Sequence, residues 1–123
     1  LRIFKTKWFD KFARKNNIHD LMLVEAVERA ENGLVDANLG NGVLKQRIAR
    51  TGEGKSKGHR AVILLRKGDR AFFVYGFSKN DRDTLRQDEE EDFREMAGRY
   101  LSLPETRLSE YLAKGDFMEV KNG

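Results

Sequence analysis

The stretch VLKQRIARTGEGKSKGHRAVILLRKGDRAFFVYGFSK (Val43–Lys79) decides the fold. It contains three runs with strand composition, VLKQRIAR, HRAVILLR and RAFFVYGFSK, joined by glycine-bearing turns. Gly68-Asp69 between the second and third runs is the chemistry of a tight hairpin. The loop between the first and second, TGEGKSKG, carries three glycines and two lysines and is expected to be mobile. Side chains alternate along a strand, so Lys45 and Arg47 share one face of the first run. On the second run Arg60 groups with Val62 and Leu64. On the third, Tyr75, Phe77 and Lys79 share a face opposite Val74, Gly76 and Ser78. Aligned across a sheet, Lys45, Arg47, Arg60, Tyr75, Phe77 and Lys79 form a shallow cationic surface carrying aromatic rings, with Lys55 and Lys57 overhanging it from the loop.

Upstream of this unit, Arg2–Lys5 alternates as a short first strand, and Thr6 is placed to cap a helix through TKWFDKFARKN. Trp8, Phe9, Phe12 and Ala13 recur at helical spacing and are read as its apolar face. Asp20 is placed to cap a second helix, LMLVEAVERAEN, which Gly33 ends. LVDANLGNG reads as a connector. Downstream, residues 78–103 read as a helix with a stripe of Phe93, Met96, Ala97, Tyr100 and Leu101, broken before Pro104. A last short helix is expected over Glu105–Ala113. The remainder reads either as an edge strand or as a flexible tail. The expected architecture is α+β: two N-terminal helices packed on a small, mainly antiparallel twisted sheet, with one or more C-terminal helices. The 123 residues suit a single domain, 1–123, with 113–123 the candidate tail.

Charge is unevenly spread. From Lys45 to Arg82 there are eleven Lys or Arg against three acids, whereas Asp83–Glu110 holds nine acids against four Arg. The overall balance is only +4, so the distribution says more than the sum, and it points to a polyanionic partner or an acidic protein. Cysteine is absent, which excludes disulfides and thiolate metal sites and suits a reducing compartment. The apolar runs are strand-length, too short for a membrane span, and the opening residues lack a signal-peptide pattern. A cytoplasmic location is therefore expected.

Guanidinium and ammonium groups hold phosphates, and aromatic rings stack on unpaired bases, so the cationic face fits RNA. The competing explanation is a solvated sheet face whose Tyr75 and Phe77 merely cover a second small core. Gly54-Lys55-Ser56 is not a phosphate loop: the pattern requires glycine where Ala49 stands, and the segment leads into a strand. His19 reads as a capping or surface residue. His59 is a weak general-base candidate that alternation turns away from Arg60. No His, Asp or Glu grouping has metal-ligand spacing.

Taken together, RIFKTKWFDKFARK, AVERAENGLVDANLGNGVLKQRIAR, GEGKSKGHRAVILL and DRAFFVYGFSKNDRDTL resemble the RelE/ParE superfamily of type II toxin–antitoxin toxins, and its HigB-like branch most closely. The likeness spans roughly residues 1–100. It implies an endonuclease acting on mRNA, usually ribosome-bound, without metal or other cofactor. The ribose 2′-hydroxyl attacks the adjacent phosphorus and leaves a cyclic phosphate, which requires a base, an acid and cations around the developing charge. The family's Lys-x-Lys pattern matches Lys45 and Arg47, the arginine opening the next strand matches Arg60, and the basic residue ending the last strand matches Lys79. The resemblance thus implies Lys79, Arg60 and Arg47 as catalytic residues, Lys79 as proton donor or base and the arginines stabilising charge, with Tyr75 or Phe77 stacking on a base; the cationic face itself offers Lys45, Lys55, Lys57, Tyr75 and Phe77 for RNA binding. The family's C-terminal tyrosine has no matched position, because Tyr75 falls on a strand and Tyr100 and Tyr111 on helices. The implied partners are mRNA on the ribosome and a cognate helix-turn-helix antitoxin. Two rivals stand beside this reading: a ParE-like toxin that inhibits DNA gyrase without cutting nucleic acid, and a module that binds RNA without cleaving it.

Overall fold

A computed structural model describes residues 1–48 and 58–121. The chain runs β1 (Arg2–Thr6), α1 (Lys7–Lys15), α2 (Asp20–Glu31), β2 (Ala37–Gly40), β3 (Val43–Ile48), β4 (His59–Arg66), β5 (Arg70–Ser78), α3 (Gln87–Tyr100), α4 (Glu105–Lys114) and β6 (Phe117–Glu119). The strands form one mixed sheet in the order β2-β3-β4-β5-β1-β6. Only β1 and β5 run parallel; the other neighbours are antiparallel. The α+β class expected from the sequence is the one observed.

Helices cover both faces of the sheet. On one face, Phe9 of α1 and Leu23, Ala26 and Val27 of α2 pack on Leu44, Ile48, Ile63 and Phe73. On the other, Ala97 of α3 and Leu108 of α4 pack on Phe4, Val43, Leu64, Phe72 and Phe117. Removing this apolar surface from water is what drives the three layers together. The cationic face expected to be open is therefore partly roofed by α3 and α4.

Local sequence accounts for most element ends. The Thr6 hydroxyl accepts the Phe9 N–H (3.1 Å) and starts α1. Gly33, at φ +81°, ends α2, with its own N–H on the Ala30 carbonyl and the Leu34 N–H on that of Arg29. His19, not Asp20, is the cap residue of α2. The Asp20 carboxylate instead takes the Lys5 ammonium (3.2 Å) and the Lys121 N–H (3.2 Å), tying β1 and the C-terminal segment to the helix.

Three further expectations are corrected. The supposed connector contains β2, because Asn41 and Gly42 adopt positive φ and turn the chain back onto β3. The long helix begins later than the pattern suggests. Residues 79–86 form a turn with Asp81 and Arg82 N–H on the Ser78 carbonyl, and α3 starts only where Glu89 accepts the Arg86 N–H (2.8 Å). Finally, β5 does not alternate evenly. The ladder with β4 shifts between Val62/Tyr75 and Ile63/Phe73, leaving Val74 as the extra residue of a bulge. Val74 and Tyr75 consequently lie in the same cluster, not on opposite faces. The tail contributes β6, antiparallel to β1.

Candidate functional site

The β3–β4–β5 ladder decides which cations meet. Arg47 lies opposite Arg60, which lies opposite Phe77, and Lys45 lies opposite Val62, which lies opposite Tyr75. The neighbours Val43, Val62 and Phe77 belong to the cluster beneath α3, so these side chains all stand on that face. Like charges directly across a strand pair repel, yet Arg47 and Arg60 occupy such a pair. Arg60 is held by one carboxylate, with its Nε 2.7 Å from Asp36 Oδ2 and a side chain only 13% exposed. Its Nη1 is buried and has no hydrogen-bond partner among the described residues. Asp36 is positioned by its own N–H on the Lys45 carbonyl (3.1 Å). Lys45 and Arg47 have no ion pair among the described residues. This arrangement is a row of positive charge with one carboxylate and an unpartnered Arg60 Nη1 among the described residues, a combination suited to a phosphate-sized anion.

Behind this row, β3 is fixed by Gln46, which points to the opposite face and is 1% exposed. Its amide nitrogen donates to the carbonyls of Ala26 (3.0 Å) and Leu34 (2.8 Å), and its oxygen accepts the Arg47 N–H (3.2 Å). Arg29 Nη2 donates to the Arg47 carbonyl (2.7 Å). The backbone that carries Arg47 is thus bonded to α2 rather than free to slide.

Lys79 directly follows β5, is exposed, and keeps its backbone N–H on the Gly58 carbonyl (3.4 Å). Lys55 and Lys57 lie outside the described residues. Phe77 departs from its expected role: at 4% exposure, packed with Leu85 beneath α3, it has no free ring face for a base. Tyr75 is half-buried, with Trp8 stacked on it at 4.9 Å and Phe93 and Phe77 tilted against it at 5.9 and 6.0 Å. His59 lies on the opposite face, its Nε2 3.2 Å from Asn16 Oδ1 and its ring edge-on to Phe12, away from Arg60. Among the described residues no group of three or more His, Cys, Asp or Glu is placed to hold a metal.

Two residues escaped the sequence reading. Arg82 returns from the turn after β5, donates Nη1 to the Tyr75 hydroxyl (3.3 Å) and makes a two-point contact with Glu89, with Nη1–Oε2 at 3.0 Å. Its guanidinium lies 6.0 Å from the Tyr75 ring centre and 5.7 Å from that of Phe77. The Arg82 hydrogen bonds, followed by the Arg86 N–H, hold the Glu89 carboxyl down at about 2, and the same pair raises the Arg82 guanidinium above its ordinary value. Arg82 therefore clips the start of α3 onto the site and orients Tyr75. Nothing local marked it, because the link spans a turn to a helix start. The other is Trp8, read as core but 48% exposed. At five residues β1 is shorter than the nine of β5, so beyond Thr6 the end of β5 has α1 rather than a strand beside it. The first turn of α1 thus overshoots the sheet and carries Trp8 onto Tyr75.

The chain thus sets a mixed sheet between paired N-terminal helices on one face and, on the other, the cationic row of β3 and β4 beside α3 and α4. The family described as the RelE toxin of the RelE/RelB toxin–antitoxin system matches residues 1–120, and the chain belongs to it. It is accordingly a toxin of a toxin–antitoxin system, with an antitoxin as partner. No curated protein sequence matches the chain. No helix among the described residues is long and apolar enough to cross a membrane.

Proposed function

We propose that this toxin is an endoribonuclease that cuts mRNA, in the HigB-like manner on the ribosome, with the Arg47–Arg60 row as the seat of the scissile phosphate. The observation that carries this reading is the directly opposed arginine pair, in which Arg60 is anchored through Nε to Asp36 while its Nη1 lacks a partner among the described residues. A phosphorane passing through this row gains negative charge where the cations already stand, so little reorganisation is needed as the charge develops. In the reaction the 2′-hydroxyl gives its proton to a solvent water, its oxygen bonds to phosphorus and the P–O5′ bond breaks. A 2′,3′-cyclic phosphate and a 5′-hydroxyl remain. The 5′-oxygen leaves with a proton, and Lys79 is the donor assigned here. Lys45 holds a neighbouring phosphate, and Tyr75, oriented by Arg82, lines the wall of the site. The chain's own cations, rather than a metal, carry the charge.

The test is controlled expression of the wild type, Lys79→Ala and Arg60→Ala, with mRNA 5′ ends mapped while growth is followed. The expected result is new ends within coding regions and growth arrest in the wild type, both lost in each folded variant. Arrest with intact mRNA and inhibited DNA supercoiling would replace this reading with gyrase poisoning. RNA binding without new ends would make the chain a binding module.

A further inference from the structure

The first turn of α1 presents a platform that the proposed chemistry does not use. Trp8 is the one aromatic among the described residues with its surface substantially open, and it is the sole tryptophan of the chain. Its ring is fixed from behind, stacked against Tyr75 (4.9 Å) and against Phe12 (5.6 Å, planes 11° apart). Phe12 can press this close because it packs over Gly76, where a Cβ would come within 2.3 Å of the Phe12 ring. A cleft of about 250 Å³ is lined by Trp8, Lys11, Phe12 and Lys15, residues spaced so that they share one helix face. Lys7, Lys11, Arg14 and Lys15 are all exposed. The only acid of the helix, Asp10, is buried and already engaged by Lys5 (3.0 Å) and Arg14 (2.9 Å).

We infer that this platform is a nucleotide subsite, where a base flanking the cleaved phosphate stacks on Trp8 and its phosphates meet Lys11 and Lys15. The inference rests on the RNA-cleaving reading of the adjacent face. Continuity supports it, since Trp8 touches Tyr75, and Tyr75 lies across the ladder from Lys45 through Val62. Charge gives the direction. A strand leaving the arginine row meets the first turn of α3, where Asp88, Glu89 and Glu90 are already paired with Arg86, Arg82 and Arg94, or the basic side of α1, where Lys11 and Lys15 have no ion pair among the described residues and attract phosphate. A rigid aromatic plane flanked by flexible ammonium groups accepts any base, so the subsite adds affinity with little sequence selectivity. An acidic protein segment would find the same cations, but it needs no pre-stacked, half-open ring.

The sole tryptophan makes the test direct. The probe is a single-stranded 2′-O-methyl oligoribonucleotide, which lacks the attacking hydroxyl, compared with an abasic oligomer of equal length. The expected result is quenching of Trp8 fluorescence by the first and not by the second. Trp8→Ala weakens binding of the base-bearing oligomer about tenfold and leaves the abasic one unchanged, and Trp8→Phe recovers most of the loss. Lys11→Glu with Lys15→Glu weakens both. Oligomer binding, followed by anisotropy, that neither quenches Trp8 nor responds to Trp8→Ala would overturn the subsite. So would a Trp8→Ala variant that keeps its oligomer affinity but loses a co-expressed antitoxin, which would make the platform a protein contact. Failure of the cleavage reading is separate, because it shows as an absence of new mRNA ends in the wild type.

Discussion

Gln46 shows how one buried side chain positions a surface it does not belong to. Its amide satisfies the carbonyls of Ala26 and Leu34 and receives the Arg47 N–H, all on the side of the sheet away from the arginine row. Gln46→Ala removes a donor from the buried Ala26 carbonyl and the part-buried Leu34 carbonyl, and an acceptor from the Arg47 N–H. The expected cost is about 1–3 kcal/mol of stability, read as a lower urea midpoint, with cleavage falling further than Arg47's retention alone would suggest. Unchanged stability would show that water replaces the amide without loss. Trp8 and Phe77 exchange their expected roles at the same scale. Both are aromatic and both sit in amphipathic patterns, so the pattern alone put one inside and one outside. The structure reverses them, because α3 covers Phe77 and β1 stops short of Trp8.

At the scale of elements, the seating of α1 on β5 depends on a missing side chain. Gly76 is buried, and any Cβ there collides with three atoms of the Phe12 ring at 2.3–2.8 Å. Gly76→Ala must push Phe12, and with it Trp8, away from Tyr75. The expected effect is about 1–3 kcal/mol of destabilisation together with a shift of the Trp8 emission in the folded protein. An unshifted spectrum would mean that β5 rather than α1 yields. The bulge at Val74 works in the same element, changing which residues of β5 share a face and bringing Tyr75 into the cluster beneath α3. A second coupling links β5 to α3 through Arg82 and Glu89, so the helix roofing the site and the tyrosine lining it are held by one ion pair.

For the molecule as a whole, that pair and its counterpart at the far edge contribute stability that depends on pH. Arg2 holds the Glu119 carboxyl below its ordinary range through a two-point contact joining β1 to β6, as Arg82 does Glu89. Both carboxyls are depressed in the folded chain. Their contribution is therefore complete above their ordinary value of 4.5 and is lost as the pH falls through their depressed values, about 2 for Glu89. Urea unfolding between pH 6 and pH 3 is expected to show falling stability, with a shallower fall in Glu89→Gln. A slope unaltered by that substitution would assign the acid sensitivity elsewhere. Much of the fold was legible beforehand. Alternation in the three central strands, the Thr6 cap and the glycine at the end of α2 are local signals, governed by steric and hydrogen-bonding preferences within a few residues. The face shared by Lys45, Arg47 and Arg60 was legible for the same reason, since the register of a hairpin and a strand's period are short-range properties. The roof over Phe77, the exposure of Trp8, the Arg82–Glu89 clip and the Asp36 anchor of Arg60 join residues distant in the chain or separated by irregular turns. Only the closing of the sheet between its two helical layers decided them, because burial and pairing depend on which surfaces finally meet.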